Sequence, residues 1–188
     1  MEQSVLKRPL QETSAESEPP TLRGKLGLYL GIVGGTVLLD IATKLLVQRT
    51  LRFGVPVPVW GDFFRLTYIY NPGAAFGLHL GNYSRFVFMG LAIVMVVLLF
   101  SMYRSTPITD KVRLLAIAAV TGGAIGNLID RVRSPRGVVD FLDFGLGAMR
   151  WPVFNIADIA VTAGAILLAI SLWREEEAPS TRTSAHPE

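Results

Sequence analysis

Four long apolar segments dominate this chain and restrict it to a fold that crosses a lipid bilayer. They run over residues 26–46, 86–103, 114–130 and 151–173, and each is near the roughly 20 residues that span a hydrocarbon core as an α-helix. Apolar residues make up 51% of the 188 positions and the mean hydropathy is +0.43. The sequence therefore predicts an all-α membrane protein with four transmembrane helices.

Polar segments flank this apolar region at both ends. Residues 1–22 and 174–188 are rich in Glu, Ser, Thr and Pro, a composition typical of disordered tails. Residues 23–173 then form one transmembrane domain. The first apolar segment starts too late and is too long for a cleavable signal peptide, and it ends in Asp40 and Lys44 rather than in small residues, so we expect it to be retained.

The charges between the spans indicate an orientation. Four spans place both chain termini on the same side of the membrane. The short loop between the second and third spans carries Arg104, Lys111 and Arg113, and basic short loops favour the cytoplasm. We therefore predict that both termini are cytoplasmic.

Polar residues that are unusual in a membrane gather at the opposite face. Spans one and three run toward that face and spans two and four run away from it. Residues near the ends of spans one and three, and residues near the starts of spans two and four, therefore lie at the same depth in the membrane. These residues are Asp40, Lys44, Asn127, Asp130, Arg131, Asn155 and Asp158. Within spans three and four they are three or four positions apart, so each set points to one side of its helix.

The long connection between the first two spans carries a second kind of signal. Residues 55–59 alternate Val and Pro, and residues 63–70 are rich in aromatic and β-branched types, which predicts a small extended or β element that covers the polar face. The segment Asn71-Pro72-Gly73-Ala74-Ala75-Phe76-Gly77 follows. It is either a turn into span two or a place of close approach to another helix or a substrate.

Two acidic residues are the strongest candidates for chemistry. Asp158 lies within the fourth apolar segment, and Asp140 lies at the end of a short loop just before it. A charged carboxylate in hydrocarbon costs roughly 2.5–3.5 kcal/mol, so such residues usually serve catalysis, transport or a buried ion pair. A solvated loop acid is the alternative for Asp140, and Asp143 is a rival carboxylate. An intramembrane acid pair is the first hypothesis.

The other polar residues allow structural explanations as well. Gly122, Gly123 and Gly126 let the third span pack tightly against a neighbour, while Asn127 supplies amide donors and acceptors to the site. The adjacent Asp130 and Arg131 could neutralise each other. Asp40 and Lys44 are spaced as an i, i+4 ion pair that masks both charges.

Residue usage excludes several kinds of site. The chain has no cysteine and only two histidines, His79 and His186. Disulfides, thiolate nucleophiles and cysteine-ligated metals are therefore ruled out, and a Ser-His site or a multi-histidine metal site is disfavoured. We predict no metal and no cofactor.

Taken together, these motifs resemble those of the bacterial lipoprotein signal peptidases (signal peptidase II). They occur in the same order on a four-span layout, and the resemblance covers roughly residues 26–173. One block alone would be weak, whereas four in sequence are specific. The matching blocks are Asn71-x-Gly-Ala-Ala-Phe76, Gly122-Gly-x-x-Gly-Asn127-x-x-Asp130-Arg131, Val139-Asp140-Phe141 and Phe154-Asn155-x-Ala-Asp158.

The resemblance implies an aspartic endopeptidase of the bacterial cytoplasmic (inner) membrane with its active site near the outer face. Such an enzyme removes the signal peptide from diacylglyceryl-modified prolipoproteins by cutting on the amino side of the lipidated cysteine of the lipobox. The family's catalytic acids match Asp140 and Asp158. Its other motif residues, to which we assign positioning and substrate contact, fall on Asp40, Asn71, Gly73, Asn127, Asp130, Arg131 and Asn155.

The implied partners are prolipoprotein substrates and membrane lipid. No nucleic acid is expected, and the enzyme is expected to act as a monomer. Peptide hydrolysis would then use two carboxyl groups and a water, one carboxyl being protonated and the other ionised. Which aspartate holds the proton stays open at this point. A proton-coupled transporter or channel and a non-catalytic scaffold are the alternative functions.

Overall fold

Four long helices form the body of the protein. The computed structural model describes residues 22–73 and 81–177. The helices are α1 (Leu22–Thr50), α2 (Ser84–Ser105), α3 (Lys111–Arg133) and α4 (Ile156–Glu177), and all four are long and apolar enough to cross a membrane. The predicted fold class, a four-span membrane protein with a small β element, is confirmed.

The fourth helix differs from the apolar segment that predicted it. Helix α4 begins at Ile156, five residues after the segment starts at Trp151, because Pro152 cannot donate a helical hydrogen bond and Asn155 caps the first turn. At its other end α4 continues to Glu177, inside the predicted polar tail, where Glu175 pairs with Arg113 at 2.6 Å. Residues 1–21, 74–80 and 178–188, including most of both predicted tails and part of the Asn71 motif, lie outside the described residues.

Helix α3 is the central helix and contacts the other three. Its glycines allow the close approach that the sequence predicts: an added Cβ at Gly122 would lie 2.7 Å from Thr36 Cβ on α1, and one at Gly123 would lie 2.7 Å from Val161 Cγ2 on α4. Side chains at these positions would push the helices apart. The small residues therefore set the distance between α3 and its neighbours.

A four-stranded antiparallel sheet covers one end of the bundle. Its strands are β1 (Val57–Trp60), β2 (Phe64–Asn71), β3 (Val138–Leu146) and β4 (Met149–Arg150), paired in that order. The β2–β3 pairing places Ile69 opposite Asp140 and Asn71 opposite Val138, with a bulge between Leu66 and Ile69. The connection between α3 and α4 thus joins the connection between α1 and α2 in one sheet, which the sequence did not predict.

Asp140 is accordingly a strand residue and not the loop residue that we expected. It lies in β3, and the run of Val, Phe and Leu around it alternates between the two faces of the sheet. Backbone hydrogen bonds also join Leu142 to Phe154, just before α4 begins, at 2.8 and 3.1 Å. These bonds fix the level of Asp140 relative to the start of α4.

The opposite end of the bundle carries a different set of contacts. Near the start of α1, Lys25 Nζ donates to the carbonyl oxygen of Thr106, just after α2, at 2.7 Å, and it lies over the Tyr103 ring. The start of α1 and the end of α2 therefore meet there. The polar residues late in α1 and α3 and early in α4 meet at the sheet end, as predicted.

Candidate active site

Asp140 and Asp158 line a single cavity between the sheet and the helices. The cavity holds about 580 Å³, and its other lining residues include Asn71, Asn127 and Arg131. Asp140 is 1% exposed, whereas Asp158, in the first turn of α4, is partly exposed. The two predicted acids are therefore brought together, although 18 positions separate them in the chain.

A reciprocal cap at the start of α4 holds Asp158. The backbone N–H of Asp158 donates to Asn155 Oδ1 at 3.0 Å, and the backbone N–H of Asn155 donates to Asp158 Oδ2 at 3.2 Å. This is the geometry of a capping box, with Asn155 at the N-cap. The box fixes the carboxyl group of Asp158 beside the helix N-terminus, whose dipole favours negative charge.

Three asparagines orient the two carboxyl groups. Asn155 Nδ2 donates to Asp140 Oδ1 at 2.7 Å, and Asn71 Nδ2 donates to Asp140 Oδ2 at 3.0 Å. Asn127 Nδ2 donates to Asp158 Oδ1 at 2.8 Å. Each asparagine thus turns its amide NH₂ toward a carboxyl group. Asn155 contacts both acids and couples their positions.

The environment of Asp140 favours its protonated form. Burial and the neighbouring charge of Asp158 raise the pKa of Asp140 to about 7. The hydrogen bonds from Asn71 and Asn155 lower this pKa, but their effect is smaller. Removal of a carboxylate from water and the proximity of a like charge both disfavour ionisation. Near neutral pH the protonated form of Asp140 is therefore accessible.

Asp143, the rival acid, is outside the cavity. Its oxygens accept hydrogen bonds from Thr67 at 2.6 Å, Arg65 at 3.2 Å and Arg150 at 2.6 Å. These hydrogen bonds and the positive charges of Arg150 and Arg65 outweigh burial and lower the pKa of Asp143. Because side chains alternate along a strand, positions 140 and 143 lie on opposite faces of β3. Asp143 holds the sheet together.

Asp130 and Arg131 do not neutralise each other as the sequence suggested. Asp130 pairs with Lys44 at 2.9 Å and accepts the backbone N–H of Val139 at 3.1 Å. Arg131 donates to the carbonyl oxygens of Gly73 at 2.9 Å and Asn127 at 3.1 Å. Successive helical positions point in different directions, so the two charges find separate partners.

Arg131 also holds the turn that follows β2. The backbone N–H of Gly73 donates to Asn71 Oδ1 at 3.0 Å, and the Arg131 guanidinium binds the Gly73 carbonyl oxygen on the other side of the turn. Arg131 Nε is buried and has no hydrogen-bond partner among residues 22–73 and 81–177.

Asp40 is a structural acid behind the cavity. It is fully buried, pairs with Lys44 at 2.7 Å as predicted, and accepts the backbone N–H of Ala157 at 3.0 Å. An added Cβ at Gly126 would lie 2.6 Å from Asp40 Oδ2, so the glycine makes room for it. Asp40 thereby joins α1 to the first turn of α4.

Sequence reasoning missed two parts of this site. The first is the capping box, which the spacing of Asn155 and Asp158 in front of an apolar run could have indicated. The second is the strand that carries Asp140, because its short run of Val, Phe and Leu is compatible with a buried strand but also with other local structures. The residues themselves were found, and the elements that hold them were not.

A four-span bundle with two carboxyl groups in a cavity at one end defines a multi-pass membrane protein with a site built for acid–base chemistry. The family model for signal peptidase (SPase) II matches residues 32–174. The lipoprotein signal peptidase of Desulforapulum autotrophicum is 45% identical over 134 residues, covering 70% of this chain and 82% of that protein. That of Halothermothrix orenii is 42% identical and covers 75% and 92%.

Solved structures agree with these relatives. One bacterial membrane enzyme, determined by the in meso method, aligns with a TM-score of 0.74 at 29% identity and covers 87% of this chain and 96% of the other. A second aligns with a TM-score of 0.71 at 31% identity, covering 80% and 95%. The chain belongs to the signal peptidase II family, and it is a membrane-embedded protease.

Proposed function

We propose that this protein removes the signal peptide from diacylglyceryl-modified prolipoproteins, cutting on the amino side of the lipidated cysteine. The observation that carries the proposal is the pair Asp140 and Asp158, which line one cavity and are bound by the same Asn155. The family membership and the names of the curated relatives support the substrate class. The catalytic residues are then Asp140 and Asp158.

The two acids take different roles because their surroundings differ. Asp140 is buried and holds a proton near neutral pH, so it hydrogen-bonds the scissile carbonyl oxygen and stabilises the developing oxyanion. Asp158 is more exposed and lies at a helix N-terminus, where negative charge is favoured, so we assign it as the base that takes a proton from the attacking water. As the tetrahedral intermediate collapses, the C–N bond breaks and the leaving amine takes the proton that Asp158 removed from the water, so the hydrolysis needs no covalent intermediate.

The remaining motif residues support these two. Asn71, Asn127 and Asn155 orient the carboxyl groups, and Asp40 and Asp130 hold the helices and β3 around them. Arg131 lines the cavity, and its Nε has no hydrogen-bond partner within the described ranges 22–73 and 81–177, so we assign it contact with a peptide carbonyl of the substrate. Gly73 forms the turn that Arg131 binds.

The walls of the cavity suit a lipid-modified peptide. Most of the lining is apolar and comes from residues 151–154 and from α4, including Ile159, Val161 and Ala163. A diacylglyceryl chain already dissolved in the bilayer can enter laterally and bring the adjacent peptide bond to the acids without leaving the lipid. The enzyme then acts as a monomer, with both termini cytoplasmic and the active site near the outer face.

A cleavage assay with purified protein tests the proposal. A precursor carrying the diacylglyceryl group is expected to be shortened on a gel, whereas the same precursor without lipid is expected to be cut far more slowly. Ion or solute flux in liposomes without cleavage would instead indicate a transporter. Stable binding of the precursor with neither cleavage nor flux would indicate a scaffold.

The rate of cleavage is expected to fall as the pH rises through about 7. Asp140 is protonated below its pKa of about 7 and loses its proton above it. The protonated fraction, which the carbonyl oxygen needs, therefore falls by about tenfold per pH unit on the alkaline side. The measurement is kcat/KM between about pH 5 and pH 9, with thermal unfolding followed at each pH as a control. A rate that rises steadily through this range would contradict the assignment of the proton to Asp140.

A further inference from the structure

Lys44 is a buried cation that uses all three of its donors. Its ammonium group lies 2.7 Å from Asp40 Oδ2, 2.9 Å from Asp130 Oδ2 and 3.1 Å from Asn127 Oδ1, and its side chain is 3% exposed. It does not line the cavity that holds Asp140 and Asp158. The i, i+4 pairing with Asp40 therefore describes only one of its three contacts.

Each of the three asparagines at the site has its amide oxygen held by a hydrogen-bond donor. The oxygen of the Asn71 amide is held by the backbone N–H of Gly73, and that of Asn155 by the backbone N–H of Asp158. The oxygen of the Asn127 amide instead accepts from Lys44 Nζ and Asn155 Nδ2. Lys44 thus supplies the charged donor where the other two amides use the backbone.

We propose that Lys44 is a positioning residue for the peptidase reaction, fixing the amide of Asn127 so that its NH₂ group faces Asp158. A flipped amide would place its NH₂ against the ammonium group and its oxygen against the Asp158 carboxyl group, which is unfavourable at both ends. Without Lys44 this preference weakens, and Asp158 loses a fixed donor. The inference rests on the proposed function of the two acids.

Lys44 also acts on Asp140 through its charge. The charged groups that interact with Asp140 among the described residues are Asp158 on α4, Lys44 on α1 and Arg131 on α3. Burial and Asp158 raise the pKa of Asp140, and the charge of Lys44 opposes them. Loss of this charge is therefore expected to move the alkaline limb of the pH profile to higher pH.

The test replaces Lys44 by methionine, which keeps the length of the side chain and removes the charge. Lys44→Met is expected to lower kcat by about tenfold or more with little change in KM, and to shift the alkaline limb upward. Lys44→Arg keeps the charge and is expected to recover much of kcat, since a neighbouring cavity of about 400 Å³ leaves room for the larger group. If Lys44→Met does not fold, Lys44→Met with Asp40→Asn balances the buried charge.

A second buried lysine on the same helix provides the matched control. Lys25 is 7% exposed and binds the carbonyl oxygen of Thr106 at the other end of the bundle. Lys25→Met is expected to lower the midpoint of thermal unfolding and to leave the pH profile unchanged. A purely structural role for Lys44 would make the two variants behave alike, which would overturn the inference.

A double-mutant cycle isolates the route through Asn127. At about pH 6, where Asp140 is protonated, Lys44→Met is expected to reduce kcat much less in an Asn127→Ala background than in the wild type. Independent, multiplicative effects would refute the proposal. If the wild-type protein cleaves the lipidated precursor and Asp158→Asn is inactive, the proposed function stands. A failed double-mutant cycle would then reject only the role of Lys44. An active Asp158→Asn would instead reject the assignment of the catalytic pair.

Discussion

Asparagine in place of Asp140 or Asp158 is expected to abolish cleavage of the lipid-modified precursor. The change keeps the shape of each side chain and removes the group that gives or takes the proton, a loss that costs roughly 10²–10⁴-fold in rate. Asparagine at position 140 has no acidic proton to share with the developing oxyanion, and asparagine at position 158 cannot take a proton from the water, so either change alone suffices. The measurement is the initial rate of appearance of the shortened precursor with purified protein.

Asp143→Asn is the control for this prediction. Asp143 is buried and three positions from Asp140, yet it contacts Arg65, Thr67 and Arg150 instead of the cavity. We expect the variant to unfold at a lower temperature and to keep most of its cleavage rate. An inactive Asp143→Asn beside an active Asp140→Asn would show that the wrong acid of β3 has been assigned.

Gly123→Ala is expected to weaken both the fold and the activity. An added Cβ would press on the carbonyl oxygen of Ala157 and lie 2.7 Å from Val161 Cγ2, and overpacking of this kind costs about 1–3 kcal/mol. Relief requires α4 to move away from α3, which carries Asp158 away from Asn127 and Asp140. A displacement of about 1 Å in an active site can cost roughly 10²-fold in rate.

Gly90→Ala provides the comparison for Gly123→Ala. Gly90 is exposed on α2, and nothing lies within 4 Å of a Cβ added there. Both changes raise helix propensity equally, so a difference between them reports the close approach of α3 and α4. The midpoint of thermal unfolding in detergent and the cleavage rate measure it. Equal midpoints and rates for the two variants would contradict the packing explanation.

Lys44 and Asp130 illustrate the limit of reasoning from spacing. The i, i+4 distance between Asp40 and Lys44 predicted an ion pair, which is confirmed at 2.7 Å. It gave no sign that the same ammonium also reaches Asp130 and Asn127, 86 and 83 positions further along the chain. Local spacing identifies partners on one helix, whereas partners on other helices depend on how those helices pack.

Asp140 shows the same limit for secondary structure. Its acidity in front of an apolar segment made it a candidate, and its place in β3 was missed because β3 forms by pairing with β2, whose residues lie about 70 positions earlier. A short stretch of Val, Phe and Leu is compatible with several local structures. The partner strand decides which one forms.

The amino-acid sequence alone contained the four spans, their directions and the acids at one membrane face. Hydropathy and the cost of a charge in lipid act locally and can be read from short segments. Only the tertiary structure decided which polar groups meet and which of the two acids is the more buried. Those outcomes depend on contacts such as Asn71 with Asp140 and Asp40 with Ala157, which are 69 and 117 positions apart. Burial and neighbouring charge act through space, so they exist only once the helices and the sheet have packed together.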